Sequence, residues 1–129
     1  MDNFSFYDLR VYKESKNLVK EIYRLMDKFP QYEMYALSDQ LRRSVTSIPS
    51  NIAEGSGRAS FKEKIHFVEI AYGSLMESLC QMDLAQDLGY ITHDEFLSIE
   101  NQFTIVGKQL SGLKASYLRS LNTSHPANR

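Results

Sequence analysis

Apolar residues recur in alternating steps of three and four through four successive blocks of the chain. That period constrains the fold more than any other feature. In the first block, about Leu9 to Phe29, the residues Val11, Leu18, Ile22, Leu25 and Phe29 form one row, with Tyr12, Val19, Tyr23 and Met26 beside it. Two adjacent rows make an apolar face wider than one neighbouring helix needs. The second block, about Glu33 to Glu54, carries Met34, Leu37, Leu41, Val45, Ile48 and Ile52. The third, about Phe61 to Leu88, carries Phe61, Ile65, Val68, Tyr72, Leu75, Leu79 and Met82. The fourth, about Asp94 to Leu121, carries Phe96, Ile99, Phe103, Val106, Leu110, Leu113 and Tyr117. No block alternates with period two, so a sheet is not expected.

The residues between the blocks agree with this reading. Proline disfavours the α region in the residue before it, so Phe29-Pro30 stops the first helix. Gly55 and Gly57 offer left-handed caps after the second, and Gly89 ends the third. Ser60-Phe61-Lys62-Glu63 and Thr92-His93-Asp94-Glu95 are capping boxes opening the third and fourth. Connections this short place successive helices antiparallel. The expected architecture is all-α: an up-down-up-down antiparallel four-helix bundle over residues 1–121, followed by a frayed tail at 122–129. Two residues break helix rules. Pro49 costs about 3 kcal/mol or more in a helix interior. It is read either as a tolerated kink or as a kink that shapes an interaction surface. Gly73 costs about 1 kcal/mol against alanine and is read as a point of close helix packing. Ser44, Ser47 and Asn51 on the second helix, with Ala71, Ser74 and Ser78 on the third, would let two backbones approach.

Chemistry-bearing motifs are sparse. With 129 residues, four helices leave no room for a separate catalytic domain. HExxH, CxxC and GxSxG are absent, and Glu63-Lys64-Ile65-His66 lacks the second Glu-x-x-His that a di-metal bundle requires. His66 reads as a surface residue and the single Cys80 as a small packing residue. No catalytic residue, metal site or cofactor is expected. The longest stretch without a charge is ten residues, Ser44 to Ala53, so no membrane span is expected. The lone cysteine and the absence of a visible secretory signal point to the cytoplasm.

Charge is close to balanced, with a formal net of -1, which argues against a strongly basic nucleic-acid-coating protein. It is unevenly spread. Residues 61–90 hold two lysines against five acids, and residues 101–129 hold four bases and no acid. Arg58, Lys62 and Lys64 cluster where the third helix begins, making them candidates for an anion or RNA-backbone contact. On the second helix Arg43, Ser47, Asn51 and Glu54 follow steps of four, four and three and share one face. This stripe of small polar residues suits a subunit contact, with Glu77 as a candidate partner for Arg43 within one chain or across chains.

Two segments are distinctive: Gln40-Leu41-Arg42-Arg43-Ser44-Val45-Thr46-Ser47-Ile48-Pro49-Ser50-Asn51-Ile52-Ala53-Glu54-Gly55-Ser56-Gly57-Arg58, and Ile70-Ala71-Tyr72-Gly73-Ser74-Leu75-Met76-Glu77-Ser78. With Phe29-Pro30 and Glu33, they closely resemble the four-helix-bundle family of 23S rRNA intervening-sequence proteins. The resemblance runs from Phe6 to about Leu121; Tyr12 stands where that family often has tryptophan. It extends to the accessory proteins of diversity-generating retroelements, basic rings that bind nucleic acid and a reverse transcriptase. The resemblance implies a cytoplasmic bacterial homo-oligomer, a pentamer, without enzymatic activity, and RNA or a ribonucleoprotein as partner. It marks Arg43, Ser47, Asn51, Glu54, Gly55, Gly73 and Glu77 as family-motif or interface residues. A near-neutral subunit gives such a ring no broad attraction for RNA.

Overall fold

The computed structural model describes residues 4–124. Four α-helices fill it: α1 (Arg10–Met26), α2 (Leu37–Ser56), α3 (Phe61–Asp87) and α4 (His93–Ser124). Short 3-10 turns at Ser5–Asp8 and Gln31–Glu33 precede α1 and α2, and the described residues hold no strand. The all-α four-helix bundle read from the periodicity is the observed fold. α2 and α4 each pack against both α1 and α3, so α1 and α3 stand at diagonal corners of the bundle.

The core consists of the heptad rows. Leu18, Ile22, Leu41, Val45, Ile48, Ile52, Leu75, Met82, Ile99, Val106 and Leu110 are all buried. The wide face of α1 is shared between two neighbours: Tyr12, Val19 and Met26 pack half-buried on the core, while Tyr23 is exposed. Two further members of the expected rows lie outside. Tyr72 is exposed on α3, and Met34 is exposed because it falls in the connector before α2.

Both capping boxes form. The Glu63 N–H donates to Ser60 Oγ at 3.1 Å. At α4 the exchange is reciprocal: Glu95 N–H donates to Thr92 Oγ1 at 3.1 Å and Thr92 N–H to Glu95 Oε1 at 2.9 Å. The ends of α2 differ from the sequence reading. Glu33 lies outside the helix and caps it, its Oε1 accepting from Leu37 N–H at 3.4 Å. Gly55 is helical and Gly57 has φ -88°, so neither adopts the left-handed cap; among described residues only Gly89, at φ +79°, does. α4 runs on to Ser124, where a frayed tail was expected from 122. Residues 125–129 of that tail, His125 among them, lie outside the described residues. No helix among the described residues is long and apolar enough to cross a membrane.

Candidate functional site

The seam between α2 and α3 is built from small polar residues rather than from heptad leucines. The Ser44 hydroxyl donates to Gln81 Oε1 at 2.7 Å and accepts from Ser78 Oγ at 2.9 Å. One turn further along, the Ser47 and Ser74 hydroxyls share a hydrogen bond of 2.9 Å. Asn51 Nδ2 donates to the Ser47 carbonyl and to Ser47 Oγ, both at 2.8 Å. Short side chains draw the backbones together, and the hydroxyls satisfy one another where water is excluded. Ser78 and Ala71 are fully buried. A close approach comes at Gly55, where a Cβ would stand 2.7 Å from Phe67 Cβ and 3.4 Å from the Lys64 carbonyl oxygen.

The polar stripe of α2 is therefore split. Ser47 and Asn51 are half-buried, Ser47 bonded to Ser74 of α3 and Asn51 folded back onto Ser47, whereas Arg43 and Glu54 face solvent. Arg43, with its side chain 80% exposed, donates to Asp39 Oδ2 at 3.0 Å and does not meet Glu77 within the chain. Among the described residues Glu77 receives only Gln81 Nε2, at 3.5 Å. Gly73 does not serve close packing: a Cβ there would find nothing within 4 Å. It lies on the outward face of α3, with Ile70, Met76, Glu77 and Leu84 exposed around it. Cys80 shares that exposed face and is not a packing residue. The interior glycine thus has no reason within one subunit.

The three candidate anion contacts do not act alike. Arg58 is held by Glu54 at 3.3 Å and lies over the Phe67 ring, 4.7 Å from its centroid. Lys64 donates to the Ser56 carbonyl at 2.7 Å. Of the three, Lys62 alone is without a bond or ion pair among the described residues, and it is exposed. The N-terminus of α3 is already occupied by its capping box, whose Glu63 carboxylate accepts from Ser60 Oγ at 3.2 Å.

At the opposite end, the two connectors that meet there are tied together. Tyr90 donates to Glu33 Oε2 at 2.6 Å and lies 3.1 Å from the Tyr32 hydroxyl, while its ring packs on Phe29. The Glu33 carboxylate, and after it the Tyr32 hydroxyl, hold the Tyr90 phenol well above its ordinary value near 10. Lys28 pairs with Glu95, and this bond, followed by the Thr92 backbone, holds the Glu95 carboxyl below the usual value near 4.5. Gln81 and Tyr90 escape the sequence reading because isolated polar residues carry no periodic signal. Among the described residues no cluster of His, Cys, Asp or Glu could hold a metal ion. His66 is exposed, and His93 Nδ1 hydrogen-bonds Gln86 Oε1 at 2.6 Å.

Comparison with known proteins finds both a family and a solved structure similar to this chain. The family model of the 23S rRNA-intervening sequence protein matches residues 7–112. A crystal structure of a protein of unknown function from the S23 ribosomal protein family of Bacteroides thetaiotaomicron superposes with a TM-score of 0.74 at 28% identity, covering 81% of this chain and 97% of that one. Among curated proteins, none matches this chain. The match across residues 7–112 places the chain in the 23S rRNA-intervening sequence protein family.

Proposed function

We propose that this member of the 23S rRNA-intervening sequence protein family is a non-catalytic, self-assembling scaffold. In this reading it is a cytoplasmic homo-oligomer, a pentamer by family resemblance, and an accessory subunit of an RNA or ribonucleoprotein assembly. One observation carries the reading: the outward face of α3 exposes Ile70, Met76 and Leu84 along with an interior glycine that no intrachain contact requires. A helix that gives up about 1 kcal/mol of propensity at an exposed site invites close approach by another backbone. The polar seam with α2 fixes that face rigidly toward the outside.

Multi-angle light scattering on a sizing column tests the assembly. A discrete oligomer is expected at micromolar concentration, and a mass of 14.9 kDa would refute the reading. The RNA role is tested by binding to ribosomal RNA as salt is varied, because each neutralised phosphate releases a counterion and steepens the salt dependence. Replacing Arg58, Lys62 and Lys64 together with glutamate is expected to abolish such binding while the bundle stays folded. A second reading, a protein-recognition module without nucleic-acid affinity, is favoured by the engagement of Arg58 and Lys64 within the chain. It predicts no RNA binding even at low salt.

A further inference from the structure

The near-zero net charge conceals a transverse separation of charge. α1 carries Arg10, Lys13, Lys16, Lys20 and Arg24 against Glu14 and Glu21, a net of +3. α3 carries Lys62 and Lys64 against Glu63, Glu69, Glu77, Asp83 and Asp87, a net of -3. In α2 and α4 the bases and acids cancel. Since α1 and α3 occupy diagonal corners, one edge of the bundle is basic and the opposite edge acidic. Much of this charge is uncommitted. Lys13 and Lys20 make no ion pair among the described residues, and Lys16 lies over the Tyr12 ring, 4.8 Å from its centroid. Among the described residues Glu77 and Asp83 accept hydrogen bonds only from the glutamines Gln81 and Gln86. Asp87 is unpaired.

Each charged edge also has an apolar part. Beside the α1 lysines, α1 and α2 enclose a groove of about 440 Å³ whose lining includes Phe6, Tyr12, Val19, Pro49 and Ala53. Among the α3 acids stand Ile70, Met76 and Leu84, exposed around Gly73. One edge is a basic hollow and the other an acidic apolar ridge.

The geometry points to a head-to-tail contact in which the outward face of α3 of one copy seats on the α1–α2 groove of the next. This rests on the oligomeric reading above and deepens it by naming both mating faces. The heights agree. The Ser47–Ser74 hydrogen bond sets α3 residue 74 level with α2 residue 47, and the groove sets Lys16 and Lys20 beside Thr46 and Ser50. If copies are arranged around an axis parallel to the bundle, α1 and the neighbouring α3 run parallel. At about 1.5 Å per residue, Lys13 to Lys20 spans roughly 10.5 Å and Glu69 to Glu77 roughly 12 Å. The two rows can therefore face each other, Lys13 opposite Glu69 and Lys20 opposite Glu77. A second copy fits better than a polyanion, because its α3 edge brings the exposed Ile70, Met76 and Leu84 to the apolar groove as well as opposite charge to the lysines. Unlike faces make a heterologous contact, which generates a ring when the rotation closes.

Charge reversal tests the pairing. One variant carries Lys13→Glu, Lys16→Glu and Lys20→Glu, another Glu69→Lys, Glu77→Lys and Asp83→Lys, and a third all six substitutions. Each is checked for native helicity by circular dichroism and for mass by light scattering. The expected result is loss of assembly in each threefold variant and recovery of the wild-type mass in the sixfold variant, since only a contact between these two rows is restored by exchanging their signs. Assembly that survives either threefold reversal, or that is not recovered in the folded sixfold chain, overturns the inference while leaving the oligomeric reading intact. A monomeric wild type overturns both.

Discussion

Gly55 and Gly73 are both helical glycines, and alanine should affect them in opposite directions. At Gly55 the new Cβ would stand 2.7 Å from Phe67 Cβ. Carbon atoms normally rest about 3.5–4.0 Å apart, so α2 and α3 would have to separate by roughly 1 Å. Because the obstructing atom is a Cβ, fixed to its own backbone, a rotamer change cannot relieve the contact. Overpacking of this kind costs about 1–3 kcal/mol. Alanine recovers up to about 1 kcal/mol of helix propensity at either position, somewhat less at Gly55, which lies in the last turn of α2. At Gly73 nothing stands within 4 Å, so the single subunit keeps the whole gain. Propensity largely cancels between the two variants, leaving the overpacking penalty as their difference. At roughly 4 °C per kcal/mol for a domain of this size, Gly73→Ala should melt about 4–12 °C above Gly55→Ala. Urea and thermal unfolding should be compared at one protomer concentration, dilute enough to leave single subunits, because association stabilises by mass action. Equal m-values would show that the change lies in stability rather than in the denatured state. A Gly55→Ala variant as stable as Gly73→Ala would refute the close approach of α2 and α3 at this point.

Ser44→Ala should cost about 1–3 kcal/mol in urea unfolding, because it strands the buried Gln81 Oε1 while Ser78 can still donate to the Ser74 carbonyl. Adding Gln81→Leu should restore most of that loss, and a double variant no better than the single would dispute the pairing. The Glu95 carboxyl is held below its ordinary value near 4.5, so its contribution is present above that pH and is lost as pH falls below it. Glu95→Gln should therefore flatten the acid limb of the stability curve; an unchanged limb would count against the Lys28 pair. The Tyr90 phenol is held above its ordinary value near 10, so its contribution is present below pH 10 and fades as pH rises further. Tyr90→Phe should remove that alkaline loss, which the midpoint of urea unfolding measured from pH 9 upward would show.

The fold was legible because a bundle core is periodic. Val11, Leu18, Ile22 and Leu25 announce the buried face of α1 by their spacing alone, and the capping boxes at Ser60 and Thr92 mark helix starts through local chemistry. What escaped depends on relations between helices. Gly55 and Gly73 are indistinguishable as letters within helical patterns, yet Phe67 crowds the first and open space surrounds the second. The sequence therefore suggested close packing at the wrong glycine. Glu33 sits where a helix could begin, but its carboxylate caps Leu37 from outside and accepts from Tyr90, a partner 57 positions away. Arg43 and Glu77 share an accessible side of the molecule without touching, because Asp39, one turn from Arg43, takes the guanidinium first.

The same distinction governs how charge should be read. Counting along the chain shows an acidic α3 and basic residues toward the end of α4, which suggests a charge difference between the ends of the bundle. Placing the helices changes the axis of that separation. Asp94, Glu95 and Glu100 balance Lys108, Lys114 and Arg119 within α4, and Lys114 Nζ reaches Glu69 of α3 at 3.3 Å. The imbalance that remains lies across the bundle, between α1 and α3, where no intrachain contact can neutralise it because α2 and α4 stand between them. Long-range attraction between exposed charges fades beyond about 8–10 Å at physiological salt, so opposite edges of one subunit scarcely feel each other. They can be compensated by ions or by the complementary edge of another molecule. A chain whose two uncompensated edges are equal and opposite carries that complement in its own sequence.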